Sequence, residues 1–208
     1  MSTGTGPLRR RLDAQTRRAT ILAAARAAFG AQPYEQVSMA RIAAEAGASE
    51  ALLYRYHPSK AALFTEVATV IWGELQAERR ARGELLPPGS GSRDVVRAAL
   101  ETELDLIASG QTRLLYTTGP EEAIRGLDRL HDEQAAWLAA LPGTRLDEYA
   151  VRGYLGFVRA AIALWIARDC PAGDRERICQ HALTALFGDP RASDWGRHGP
   201  RRSKFGRR

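Results

Sequence analysis

The sequence predicts an all-α protein: an N-terminal three-helix bundle followed by a larger helical domain, about nine helices in all. Three observations carry that prediction. No segment shows a convincing alternation of β-branched residues. Ala and Leu, both strong helix formers, dominate the chain. Apolar residues recur three and four apart through almost every periodic segment. The chain has 208 residues, 45% hydrophobic and 26% charged, which is ordinary for a globular protein with a sizeable core. Its 2 cysteines exclude a disulfide scaffold and a four-cysteine zinc site.

Each element has a local reason. Residues 1–14 contain Gly4, Gly6 and Pro7 and read as a flexible arm ending in Arg9-Arg10-Arg11 and a few more residues. That arm is either a solvated tail or a minor-groove arm. The first helix is expected from about Thr16 to Phe29, with Ile21, Leu22, Ala25, Ala28 and Phe29 on one face and Gly30 and Pro33 ending it. Ser38 caps a second helix that turns Met39, Ile42, Ala43 and Ala46 inward, and Gly47 breaks it. Ser49 caps a short third helix, which ends at His57-Pro58 because a residue before proline resists the helical region. Ser59 caps a fourth, Lys60 to about Arg82. The run from Gly83 to Ser92, rich in Pro, Gly and Ser, is a loop and has no phosphate-binding lysine. A fifth helix to about Ser109, a short one over Thr112–Thr118, and one from Pro120 to Leu141 follow. Arg145–Asp169 and Asp174–Phe187 complete the body. The predicted units are an arm (1–14), a small helical bundle (15–62), a larger helical body (63–188) and a basic disordered tail (189–208).

Charge is distributed in the same three parts. Residues 1–60 hold nine Lys/Arg against four Asp/Glu, residues 61–188 hold 14 against 18, and the last 20 hold seven against two. A basic front and tail around an acidic middle suit a polyanion at one end. The longest strongly apolar run, Ala160–Ala167, is far short of the roughly 20 residues that span a bilayer. No apolar stretch follows the early arginines, so no signal peptide is expected. The expectation is a soluble cytoplasmic protein.

Residues 38–57 hold a short helix, a glycine turn and a second short helix, the pattern of a helix-turn-helix. In that geometry the second helix enters the major groove. The stretches RRATILAAARAAFG, VSMARIAAEAGAS and ALLYRYHPSKAALF together resemble the DNA-binding domain of tetracycline-repressor-type (TetR) regulators over roughly residues 16–68. The resemblance implies a sequence-specific transcriptional regulator, by default a dimeric repressor released from its operator by a small molecule. It implies that Ser38 caps and donates to a phosphate, and that Ser49, Glu50, Ala51 and Leu52 present the reading surface. Tyr54 and Tyr56 would hydrogen-bond phosphates, Lys60 would contact one by ammonium and backbone N–H, and Arg41 and Arg55 would join them. His57 stands where the family usually has Phe. Without the resemblance, Tyr54 also reads as a partly buried core residue with a satisfied hydroxyl.

In the body, Trp72, Glu103, Ile107, Tyr116, Thr117, His131, Gln134 and Trp137 are the candidate lining of an inter-helix ligand pocket. The stripe Tyr154, Phe157, Ala161, Ile162 and Trp165, with Ile178, Ala182 and Leu186, would pair two chains through a four-helix bundle, or else face only its own core. Expected partners are double-stranded DNA with a palindromic operator, a second copy of the chain and a small-molecule effector. No cofactor, metal, membrane or catalytic site is expected. Cys179 and His181 are two apart on a helix and share no face, and neither a nucleophile elbow nor a dinucleotide loop occurs. The competing readings are an architectural protein that binds DNA by charge alone and a small helical enzyme.

Overall fold

A computed structural model describes residues 7–116 and 121–188. Its described residues form eight α-helices, three short 3₁₀ turns and no strand. The helices are α1 (Pro7–Ala31), α2 (Met39–Glu45), α3 (Glu50–Tyr56), α4 (Lys60–Glu84), α5 (Ser92–Ala108), α6 (Glu121–Ala139), α7 (Glu148–Ala167) and α8 (Arg175–Phe187). The segment expected as a short helix over Thr112–Thr118 is a 3₁₀ turn, Arg113–Tyr116. Residues 189–208, expected to be a disordered tail, lie outside the described residues, as do residues 1–6.

α1 corrects the expectation of an irregular arm. Its backbone is helical from Pro7, so Arg9-Arg10-Arg11 belong to the helix. Proline suits the first helical position, and the Leu, Arg and Ala that follow are good helix formers with no breaker among them. Gly30 does not stop the helix either; it runs to Ala31, and Pro33 stands after its end.

Two hydrophobic cores share the molecule. The first gathers Ile21, Ala25 and Phe29 of α1, Ile42 of α2 and Leu53 of α3 around one face of α4. Phe29, Tyr34 and Phe64 form an aromatic cluster at its centre, with ring centroids 5.2–5.9 Å apart. The second is built by α5, α7 and α8 with the end of α6. α4 spans 25 residues, roughly 37 Å at 1.5 Å per residue. The first core does not stop at the expected boundary near residue 62. It continues along α4 through Ile71 and Leu75 and takes in Leu127 and Leu130 of α6.

Pairs of charges tie the helices together. Arg18–Glu66 and Arg26–Glu74 join α1 to α4, Arg97–Glu176 joins α5 to α8, and Arg152–Asp132 joins α7 to α6. By length and composition α7 is apolar enough to cross a membrane, although its uninterrupted apolar run is short. One face of α7 fills the second core, and the other carries Ala160, Ala163 and a half-exposed Leu164.

Candidate DNA interface and effector cavity

The reading head is assembled by local hydrogen bonds. Ser38 begins α2 by accepting the Arg41 N–H at 3.4 Å, and its own hydroxyl proton stays available to a phosphate. The helix ends in a Schellman motif: Ala48 N–H donates to Ala43 O at 2.9 Å and Gly47 N–H to Ala44 O at 3.1 Å. Gly47 has φ +62°, a left-handed conformation that an L side chain resists. Ser49 then caps α3 by accepting the Leu52 N–H at 3.2 Å. Leu53 is fully buried and pins α3 to the first core.

That single buried anchor decides which residues face outward. Glu50, Ala51, Tyr54 and Arg55 are exposed, and Leu52 and Tyr56 are half-buried. Tyr54 is 44% exposed, which removes the alternative of a core tyrosine. The Arg55 guanidinium lies 5.9 Å from the Tyr56 ring. Arg41 is exposed and pairs with Glu45 one turn on, at 2.9 Å. The outward face therefore offers hydroxyls and a guanidinium to phosphates, and short apolar and carboxylate groups to base edges.

Lys60 departs from the role the resemblance implied. Its ammonium donates to the carbonyls of Tyr34 at 2.9 Å, Val37 at 3.0 Å and Glu35 at 3.3 Å, and sits 4.6 Å from the centre of the Tyr34 ring. It clips the α1–α2 connection to α4. What remains for a phosphate is its backbone N–H in the first turn of α4, where Ser59 accepts the Ala62 N–H at 3.0 Å.

His57 packs inward, as a Phe would. It is 2% exposed, with Nδ1 3.1 Å from Glu66 Oε2, and Glu66 also binds Arg18. Its Nε2 is buried with no partner among the described residues. Burial pushes the imidazole pKa down, opposed by Glu66 and reinforced by Arg18. The lone polar residue between Tyr56 and Pro58 was visible in the sequence; its partner Glu66, nine residues on, was not.

In the body, a small cavity lies where the two cores meet. Trp72 of α4, Leu115 and Tyr116 of the 3₁₀ turn, and Leu127, Leu130, His131 and Gln134 of α6 line it, closed by Leu155, Val158 and Arg159 of α7. Its free volume is about 30 Å³, room for one or two waters. Four expected lining residues thus come together: Trp72, Tyr116, His131 and Gln134. Thr117 lies outside the described residues.

The other three expected residues do not line it. Glu103 is 2% exposed and buried behind Tyr116, whose hydroxyl donates to its Oε1, while Arg79 Nη2 donates to Oε2 at 2.5 Å. A buried carboxylate needs such partners, so Glu103 belongs to an ionic cluster. Burial, then Glu103, pushes the Tyr116 phenol pKa well up. Ile107 is fully buried in the second core and does not line the cavity. Trp137 lines a different and larger cleft, about 440 Å³, with Gln76, Arg79, Arg80 and Glu133. Arg159 was missed; the available signal was a lone cation interrupting the apolar stripe of α7 between Val158 and Ala160.

The expected dimer stripe is also redistributed. Tyr154, Ile162, Trp165, Ala182 and Leu186 are buried in the chain's own core, and Ile178 is nearly so. A helical stripe read from sequence points inward first, because the chain's own core is the nearest apolar phase. Phe157 and Ala161 are half-buried along an outer groove of about 440 Å³ between α7 and α8, which Ala160, Leu164, Arg177 and His181 complete. Among the described residues no group of three or more His, Cys, Asp or Glu could hold a metal ion. Cys179 is buried and His181 exposed, on different faces of α8.

Fold and head together define a helix-turn-helix regulator: a small DNA-reading bundle carried on a long helix that runs into a separate helical body. Residues 21–67 match the family model "Bacterial regulatory proteins, tetR family". Residues 21–67 are thus a DNA-binding domain of the TetR type. Solved structures share the fold. A TetR-like transcriptional regulator from Rhodococcus sp. RHA1 is 22% identical, with a TM-score of 0.61 over 82% of this chain and 93% of that one. The fatty acid degradation regulator FadR from Bacillus halodurans is 16% identical, also at 0.61, over 81% and 95%. A TetR family transcriptional regulator from Pseudomonas syringae pv. tomato str. DC3000 is 21% identical, at 0.54, over 82% and 95%. No curated protein matches the chain by sequence.

Proposed function

We propose that the chain is a cytoplasmic, homodimeric repressor that binds a palindromic operator and is released by a small-molecule effector held in the body. The observation that carries this reading is the position of the cavity. It lies against Trp72 of α4, the helix whose first turn abuts the reading head. An effector that prefers a wider cavity shifts the population of α4 positions, and with it the spacing of two heads.

Two heads require a dimer, since one helix-turn-helix reads one half-site. The outer groove of α7 and α8 is the surface best suited to it. Gly153 and Gly156 are exposed with open space beyond them, and Ala160 and Leu164 continue the same side of α7. Small residues let a second helix pair approach closely, and Leu164, 53% exposed, supplies a knob.

The test combines mass with DNA selection. Light scattering should give twice the 22.8 kDa chain mass. Leu164→Glu should give single chains. Selection from random duplexes at near-physiological salt should enrich a palindrome with half-site centres about one helical turn apart, or a multiple of it. A steep loss of binding with salt and no enriched motif would show charge-driven binding and overturn the reading.

A further inference from the structure

We infer that the effector is an organic anion: an acid group held by Arg159, Gln134 and His131, with an apolar body that passes Trp72. The inference rests on the effector reading above and adds the ligand's chemistry. It begins from an imbalance around the cavity. Of the acids near it, Asp128 is exposed and lies outside the lining, and the others are already held. Glu103 binds Arg79 and Tyr116, Asp132 binds Arg152, and Glu133 accepts from the Trp72 indole at 3.2 Å and from Arg129 at 3.1 Å.

The donors are not held. Arg159 lines the cavity and has no ion pair or hydrogen bond among the described residues, whereas Arg79, Arg97, Arg152 and Arg175 of the body all have one. Gln134 also lines it, is 8% exposed, and has no hydrogen-bond partner among the described residues. A buried amide without a partner costs free energy, and so does a half-buried guanidinium without a counter-charge. Burial and then Arg159 push the His131 pKa down, so the imidazole stands neutral and able to donate. The Arg159 guanidinium, with an N–H each from Gln134 and His131, suits a carboxylate or a similar acid.

The remaining lining is apolar, and the space is small. Beyond Trp72 lies the larger cleft between α4, α5 and α6. Trp72 stands between the two: Arg79 of the cleft lies 5.5 Å from its ring and Glu133 of the cleft accepts its N–H. An apolar body turning Trp72 aside joins cavity and cleft into one slot. It must also loosen the Trp72–Glu133 link between α4 and α6, which is the motion the head would read.

The test is calorimetric titration of the full chain with matched probes: decanoate, decanol and decyltrimethylammonium, and the aromatic pair 4-phenylbutyrate and 4-phenylbutanol. Expected is a carboxylate that binds about tenfold or more tightly than its alcohol, the order of one charge-assisted contact. Arg159→Gln should remove that advantage, and Arg159→Lys should restore part of it. Equal or tighter binding of an alcohol or the ammonium, with release of the selected operator, overturns the anion and leaves the effector reading standing. An Arg159→Gln variant that keeps the carboxylate preference also overturns it. No binding by any probe overturns both.

Discussion

The reading head and the body solve the same problem, placing polar groups on helices, in opposite ways. In the head the hydroxyl caps are local: Ser38, Ser49 and Ser59 each serve an N–H three residues on. Of its outward side chains, Glu50 and Tyr54 have no polar partner among the described residues, whereas Arg41 pairs with Glu45. In the body the polar groups reach across the chain, with Arg79–Glu103, Arg97–Glu176 and Arg175–Asp105 joining residues 24, 79 and 70 apart. The head's helix starts are thus set by short-range rules, with Arg18–Glu66 and the Lys60 ammonium fastening α1 to α4 over longer spans. The body is held by contacts that a ligand can trade against its own, which is what a sensor needs.

Breaking the body's central cluster should give the largest effect. Glu103→Ala leaves Arg79 and the Tyr116 hydroxyl buried without their shared partner, and should cost about 3–5 kcal/mol of stability in a urea melt. The double variant Arg79→Met with Glu103→Leu should regain most of it, since both charges then leave together. Operator binding by the folded fraction should be unchanged at low temperature. Its loss would mean that head and body are not separable in the way the two hydrogen-bonding styles imply.

A smaller effect is expected where the regions touch. A Cβ added at Gly126 of α6 would lie 2.1 Å from Thr65 Oγ1 and 3.0 Å from Thr65 Cβ on α4. Rotating the threonine cannot relieve the second contact, so the helices must part. Gly126→Ala should cost about 1–3 kcal/mol, the usual range for overpacking. It should also weaken operator affinity without any effector, in a gel-shift titration, because it imposes the separation that a ligand would.

The smallest effect belongs to the head and depends on pH. The unfolded chain protonates His57 near its ordinary value of 6.5, whereas the buried imidazole protonates only at lower pH. The unfolded state therefore binds more protons, and stability falls as pH drops below about 6.5. His57→Phe should flatten that dependence and raise stability by about 1 kcal/mol, since it removes an unpartnered buried nitrogen. Thermal melts between pH 5 and pH 8 read both. A steeper slope in the variant would show that Glu66 needs the imidazole more than the fold resents it.

The same contrast explains what was legible in the sequence. The three serine caps, Gly47 and the helix-turn-helix could be read because their partners lie within a few residues. Fold class and helix order followed from periodicity. The cavity was legible only in part: Trp72, Tyr116, His131 and Gln134 meet, but Arg159, 25 residues beyond Gln134, is placed by how α7 packs. Glu103 looked like a ligand contact because a buried carboxylate demands a partner, and Arg79 of another helix answers that demand. Tyr154 and Trp165 were assigned to a dimer face because an apolar stripe does not say whose core it enters. Lys60 looked like a phosphate contact because nothing local shows that three carbonyls from residues 34–37 surround its ammonium.

The continuity of the first core along α4 bears on how such regulators can be recombined. A graft that joins this head to a foreign body at residue 62 would sever Leu63, Phe64 and Val67 from the apolar surface that Ile21, Phe29 and Ile42 offer them. The exchangeable unit is the head together with α4 as far as Leu75, and with the face of α6 that covers it. A new specificity therefore has to be inherited with part of the sensor attached, so that a transplanted head brings some of its old hearing with it.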